Sequence, residues 1–377
     1  MDMSAENMIA QVESLPDLIR SEFDALDVRV RRMLDHNEYL SVKRVVLTGC
    51  GDSYMAGVAS ELSFEEVAGV PTEALAAMQV GRYAAPYFDH MFPRNPLVVG
   101  VSVSGTVART REALVMARKN GALTVAATGN PDSPLGQVAE KILPCVVPDF
   151  APAPGVRSYR ISLMALLLLA IRIGEVRARL TQDQANALRK QLKGTADSIE
   201  ATIAAIREPV KKLAEATAKH RHFVFVGDGP NLATALFSAA KLMEAAGRHA
   251  DGQDTEEWAH LQYFVNEDPA TPTFLISPGG RGHGRAAELI EPMRRIGRTI
   301  VAVVPQGDTA IAGGADVVLP VVGDVPEIFS PMVYAVAGEL YSAYLSLAIG
   351  EPPFRRFNGV YEDGGNTIKT SQVIEGL

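Results

Sequence analysis

Short apolar runs and longer stretches of spaced apolar positions alternate along this chain. The runs at 44–48, 97–102, 123–127 and 142–147 are nearly continuous in Val, Ile, Leu and Ala, as strands buried on both faces are. Between them, 53–67, 107–120 and 134–140 carry apolar side chains at helical spacing. A long helix is predicted from about 159 to 180, and a polar helical bridge over 181–219. A second series then begins, with strands predicted at 222–226, 273–276, 299–304 and 317–321 and helices near 232–246, 285–295 and 331–348. Residues 4–36 read as an amphipathic helix, and 355–377 shows no long helical pattern. This alternation predicts an α/β protein of two tandem doubly wound parallel-sheet domains. The boundary is expected near 190, giving domains 1–190 (with the leading helix) and 191–377.

The two series look like copies. VVLTGCGDSYMAGVASELSFEEVAG and VFVGDGPNLATALFSAAKLMEAAG share a strand, a Gly-x-Gly turn, a helix and a closing Ala-Gly. Twenty positions separate Gly49 from Gly69, and twenty separate Gly227 from Gly247. A fixed offset over such a length indicates internal duplication.

Composition narrows the class. With 377 residues, 47% of them hydrophobic and 21% charged, the chain can build two cores. A net charge of −8 offers no diffuse positive field, so nucleic acid is not an expected partner. The longest apolar run, 163–171, is too short for a membrane span, so no membrane association is expected. The start MDMSAENMIAQVESL lacks the apolar core of a signal peptide. The two cysteines, Cys50 and Cys145, form no disulfide framework or metal-ligand spacing. Together these features predict a soluble cytoplasmic protein.

Two strand-to-helix turns could hold an anion. One is Gly49-Cys50-Gly51-Asp52-Ser53, the other Ser102-Val103-Ser104-Gly105-Thr106. Backbone N–H groups at a helix start, with hydroxyls beside them, can cradle a phosphate. The plainer alternative is that Ser104 or Thr106 only caps the helix. Neither turn is a Walker loop, and neither Gly-x-Gly turn has the third glycine of a dinucleotide fingerprint. No cofactor is expected. The seven histidines are scattered, so no metal site is expected either.

GCGDS followed some fifty residues later by SVSGTVARTREAL resembles the SIS (sugar isomerase) family, particularly the isomerase half of glucosamine-6-phosphate synthase. Related fructosamine-phosphate deglycases belong to the same resemblance. It implies flavodoxin-like SIS domains and a phosphorylated sugar or amino sugar as ligand. It makes Ser102, Ser104 and Thr106 phosphate ligands, with Ser53 and Ser158 contacting the sugar and Cys50 and Gly51 in the same substrate-binding turn. Val103 stands where the family often has Gln, and Thr106-Val107 where it has Glu-Thr.

Aldose–ketose isomerisation moves a proton between C1 and C2, which needs a carboxylate base and a group to open the ring. AAKLMEAAGRHADGQDTEEWAHLQ is similar to the synthase segment that supplies them. The resemblance places the catalytic base at Glu244, the ring-opening histidine at His260 and a further substrate-binding acid at Glu257. In the tail, Asn366-Thr367-Ile368-Lys369 resembles N-L-A-K, making Lys369 the residue that meets the sugar carbonyl. Glu66 occupies the place of Glu244 in the first copy but has no following histidine at matching distance. Met243 replaces a second lysine of the family pattern. No cysteine precedes Cys50, so the glutamine-hydrolysing half of the synthase is not expected.

Two reactions fit this constellation: isomerisation of an (amino)sugar 6-phosphate with or without deamination, and cleavage of a fructosamine phosphate into a sugar phosphate and an amine. The alternative from another class is a non-catalytic sugar-phosphate-binding regulatory protein. Residues 1–40 are too short and acidic for a DNA-binding helix pair. The resemblance further implies a homodimer with shared active sites.

Overall fold

The apolar runs become the strands of two five-stranded parallel sheets. In the computed structural model the described residues are 3–88, 94–354 and 374. They fall into two compact units: 18–88, 94–149, 157–193 and 374 form the first, and 3–17, 150–156 and 194–354 the second.

The first unit contains β1 (Val45–Gly49), β2 (Thr72–Ala76), β3 (Leu97–Val101), β4 (Leu123–Thr128) and β5 (Lys141–Pro144), in the spatial order β2-β1-β3-β4-β5. β1, β3 and β4 are buried along their whole length, which explains why no polar alternation marks them. β2, TEALA, went unpredicted. It lies at a sheet edge, half exposed, and keeps Glu73 in water.

The second unit contains β6 (His222–Gly227), β7 (His249–Gln253), β8 (Pro272–Ile276), β9 (Thr299–Pro305) and β10 (Val317–Val321), in the order β10-β9-β8-β6-β7. Read from the other edge this is the same order as in the first unit, the flavodoxin-like 2-1-3-4-5. β7, HADGQ, is again the unpredicted edge strand. Its Gly252 is required, because an added Cβ would lie 2.5 Å from the Leu236 Cα of the helix packed on it.

The duplication extends to backbone angles. The helices Asp52–Ser63 and Pro230–Ala246 start at Gly51 (φ 55°, ψ −129°) and Gly229 (φ 50°, ψ −129°). Both segments close on left-handed glycines, Gly69 at φ 64° and Gly247 at φ 61°, a conformation that costs a residue with a Cβ. The copies differ between them. The first loosens into a π-helical turn over Phe64–Ala68, whereas the second stays α-helical to Ala246.

Each sheet is covered by helices whose apolar stripes face it. In the second unit Phe225 stacks on Phe274 with centroids 4.6 Å apart, and Tyr341 tilts over Phe274 at 4.6 Å. Such pairs add about 0.5–1.5 kcal/mol each beyond their buried area. The helices Pro230–Ala246 and Pro331–Ile349 touch closely at Gly338, where a Cβ would lie 2.2 Å from Ser238 Oγ. Among the described residues, Pro331–Ile349 is the one helix long and apolar enough to cross a membrane, and 78% of that window is buried within the protein. It is a core helix.

Candidate functional site

In the first unit β1 delivers the chain into the Gly49–Ser53 turn. A Cβ on Gly49 would lie 2.8 Å from Ser53 Cβ, so only glycine lets the helix begin this close to its strand. No side chain caps the helix. Cys50 is exposed as a residue, yet its thiol lies 3.8 Å from the Thr110 hydroxyl that donates to it. Burial pushes the thiol pKa up, the Thr110 bond only partly offsetting it. Cys50 is therefore a neutral thiol at pH 7 rather than a nucleophile. Ser53 is half-buried in the first helical turn.

β3 ends at the second turn. Ser102 is 3% exposed, and its N–H donates to the Ala127 carbonyl at 3.0 Å. Gly105 reverses the chain at φ 67°, and a Cβ there would overlap Ser133 Oγ at 1.9 Å. Ser104 Oγ lies 3.0 Å from Thr106 Oγ1 and accepts the Thr106 N–H at 3.3 Å; both residues are exposed. The N-cap of the following helix, Ala108–Lys119, is Val107, and no side chain caps it. Ser104 and Thr106 thus do not cap this helix. Their hydroxyls stand outward beside its uncapped start. The helix dipole would contribute about 0.3–1 kcal/mol to an anion there, less than about 1.5–3 kcal/mol for each hydrogen bond to its charge. The hydroxyls and amides would decide affinity. Nearby, Arg109 and Arg82 both pair with the buried carboxylate of Glu112.

Ser158 lies half-buried in the first turn of the helix Arg157–Val176. Its neighbour Arg157 is 7% exposed and donates to the Pro148 carbonyl at 3.4 Å.

In the second unit Glu244 sits in the last turn of Pro230–Ala246, with its side chain 30% exposed. Lys241, one turn earlier and fully buried, places Nζ 2.5 Å from Glu244 Oε2 and 5.1 Å from the Phe237 ring centroid. Sequence reasoning overlooked Lys241. Its signal was the i, i+3 spacing of a lysine and a glutamate on one helix face. The adjacent Met243 is 47% exposed.

Glu244 precedes β7 and His260 follows it, at the end of the helix Thr255–His260. His260 is 66% exposed, and its Nε2 lies 3.2 Å from Glu256 Oε1. Glu257, expected as a substrate-binding acid, is exposed, and its backbone N–H is capped by Asp254 Oδ1 at 3.3 Å. Glu256 is thus the acid that meets the histidine. Glu256 is in turn held by Arg285 at 2.6 Å and 3.1 Å, and this contact lowers its carboxyl pKa. Lys369 lies outside the described residues. Among the described residues no group of three or more His, Cys, Asp or Glu side chains could hold a metal ion.

Residues 38–172 match the family model described as SIS domain, and this segment of the chain is an SIS domain. The chain is 25% identical over 350 residues to the glutamine–fructose-6-phosphate aminotransferase of Gloeobacter violaceus, covering 91% of this chain and 56% of that protein. It is 27% identical over 312 residues to the enzyme of the same name from Streptomyces coelicolor, covering 82% and 50%. The chain spans about half the length of the curated relatives it matches. Among solved structures, the C-terminal domain of glucosamine-fructose-6-phosphate aminotransferase from Francisella tularensis superposes with a TM-score of 0.78 at 18% identity, covering 91% and 96% of the two chains. Glucosamine-6-phosphate deaminase from Thermotoga maritima superposes with a TM-score of 0.68 at 18% identity, covering 92% and 97%. The fold is the tandem α/β SIS fold, present in both units.

Proposed function

We propose that this protein is a cofactor-free enzyme that moves a proton between C1 and C2 of a sugar or amino-sugar 6-phosphate. The observation that carries this reading is the Lys241–Glu244 pair. A partly exposed carboxylate is held in one orientation by a fully buried ammonium, which suits a base that must meet a carbon-bound proton at fixed geometry. The names of its relatives, an isomerising aminotransferase and an amino-sugar-phosphate deaminase, support the substrate class. Ser102, Ser104 and Thr106 hold the phosphate, and Cys50, Gly51, Ser53, Ser158 and Glu257 contact the substrate. His260 opens the ring and Lys369 captures or polarises the carbonyl. The enzyme works as a homodimer, His260 serving the site of a second copy.

The test is incubation with fructose 6-phosphate, glucosamine 6-phosphate and fructosamine 6-phosphates, products being followed by mass spectrometry. Turnover of one of them is expected, and Glu244→Gln should abolish it. Tight binding of all three without turnover would replace the enzyme by a sugar-phosphate-binding regulator. Mixing inactive Glu244→Gln and His260→Ala chains should restore part of the activity if two copies share each site.

A further inference from the structure

Ser277 follows β8 as Ser102 follows β3. Each serine N–H donates to the neighbouring strand at 3.0 Å, Ser102 to Ala127 and Ser277 to Val303. Beyond that shared position the two loops differ in chemistry. Where the first unit carries outward hydroxyls, the second carries Gly279, Gly280, Arg281, Gly282 and His283.

Ser277 Oγ lies 2.9 Å from His283 Nδ1, and His283 Nε2 lies 3.0 Å from Asp308 Oδ2. The other oxygen of Asp308 accepts the N–H groups of Ile311 and Ala312, each at 2.9 Å. Asp308 is 7% exposed and His283 22%. A carboxylate only accepts, so Nε2 carries the proton toward Asp308 and Nδ1 turns its lone pair to the Ser277 hydroxyl. Hydroxyl, imidazole and orienting carboxylate stand in the sequence of roles that activates a serine.

The surroundings argue against a second phosphate cradle. Glu327 Oε1 already accepts the Arg281 N–H at 3.0 Å. A Cβ on Gly280 would lie 2.1 Å from that oxygen, and one on Gly282 would lie 1.8 Å from Asp228 Oδ2. Burial pushes the Asp228 carboxyl pKa up, and Asp254 and Glu327 push it further. Carboxylates flank this loop on both sides, and the loop's one arginine, Arg281, already faces Glu327 at 3.8 Å, so the field disfavours an anionic ligand.

We infer that Ser277 is the nucleophile of a second, acyl-transferring site, which takes a small neutral or cationic carboxylic ester. As Ser277 Oγ bonds to the carbonyl carbon, its proton passes to His283 Nδ1. The adduct collapses with loss of the alcohol, which takes that proton and leaves Ser277 acylated. Water repeats the sequence, giving its proton to Nδ1, and the carboxylic acid departs as Ser277 recovers its own. Pro278 has no N–H, so the amides of Gly279 and Gly280 are the first after the serine able to face the oxyanion. Ser277 is only 2% exposed, which restricts the acyl group to a slender one arriving past the exposed Gly279.

The test treats the full-length protein with a small alkyl fluorophosphonate and locates the adduct by peptide mass spectrometry. A phosphonyl adduct on Ser277 is expected. His283→Ala should slow its formation by about 100-fold or more, the range of general-base assistance, with an unchanged melting profile. Glu244→Gln should label at the wild-type rate, which separates this site from the sugar-phosphate reading. Absence of the adduct from folded wild-type protein, under conditions that saturate a known serine hydrolase, would overturn the inference. So would equal labelling of a folded His283→Ala variant.

Discussion

Lys241 and Glu244 form an ion pair in which one partner is sealed from water and the other still reaches it, Nζ lying 2.5 Å from Oε2 and the side chains being 0% and 30% exposed. A buried ammonium tolerates this position because it is paired and rests against Phe237. The pair turns an otherwise mobile helix-end glutamate into an oriented group.

Lys241→Met should therefore separate orientation from folding. Methionine removes the buried charge, and the partner left behind, Glu244, still reaches water, so little uncompensated buried charge remains. The variant is expected to fold, by circular dichroism, while kcat falls about tenfold or more and KM changes little. Glu244→Ala leaves the lysine without this partner and should lower Tm more than Glu244→Gln does.

The Ser102–Thr106 turn makes a different prediction. Ser104→Ala and Thr106→Val remove exposed hydroxyls that cap nothing, so stability should stay within about 0.5 kcal/mol of wild type. KM for a sugar phosphate should rise about 10-fold or more for each, the worth of one hydrogen bond to a charged group. Gly105→Ala meets both a left-handed φ of 67° and the Ser133 side chain, and should cost stability as well as binding. Steady-state kinetics with thermal melting checks all three.

The two cysteines should react very differently. Burial pushes the Cys50 thiol above its ordinary range and pushes Cys145 up to about 12. Alkylation of Cys50 by iodoacetamide should be slow at pH 7 and accelerate as pH rises past 9. Cys145, 1% exposed, should resist the reagent until the protein unfolds. Each folded thiol holds its proton longer than an unfolded one, so both contribute a loss of stability as pH rises above about 9.

Glu175 carries the opposite linkage. Burial alone would raise its pKa, but hydrogen bonds from Arg189 at 2.7 Å and Arg172 at 3.0 Å outweigh this and lower it. A carboxyl with a depressed folded pKa adds stability above its unfolded value, about 4.3, which is lost as pH falls through the folded one. Tm measured from pH 6 to pH 3 should fall less steeply in Glu175→Gln than in wild type.

Eight of the ten strands were readable as apolar runs, six because they are buried along most of their length and the edge strands β5 and β10 because they stay largely apolar although partly exposed. Thr72–Ala76 and His249–Gln253 were not, since these two edge strands carry polar side chains that break the apolar run. The Gly49–Gly51 and Gly227–Gly229 turns were legible because a Cβ at Gly49 or Gly227 would clash with the helix that follows, and Gly51 and Gly229 take positive φ. Partners fixed by helix phase were harder. The i, i+4 contact between Glu256 and His260 went unread, because the family register marks Glu257 and says nothing of Glu256. The Ser277–His283–Asp308 chain left no trace in any local motif, because Asp308 enters from beyond a different strand.

Hydrogen exchange into substrate carbon tests the central assignment most directly. Wild-type protein and Glu244→Gln would be incubated in D2O with fructose 6-phosphate or glucosamine 6-phosphate, and deuterium at C1 and C2 followed by NMR. The account predicts exchange in the wild type and a fall of about 100-fold or more in the folded variant. Equal exchange rates in the two would show that the proton is moved by some group other than the carboxylate that Lys241 holds.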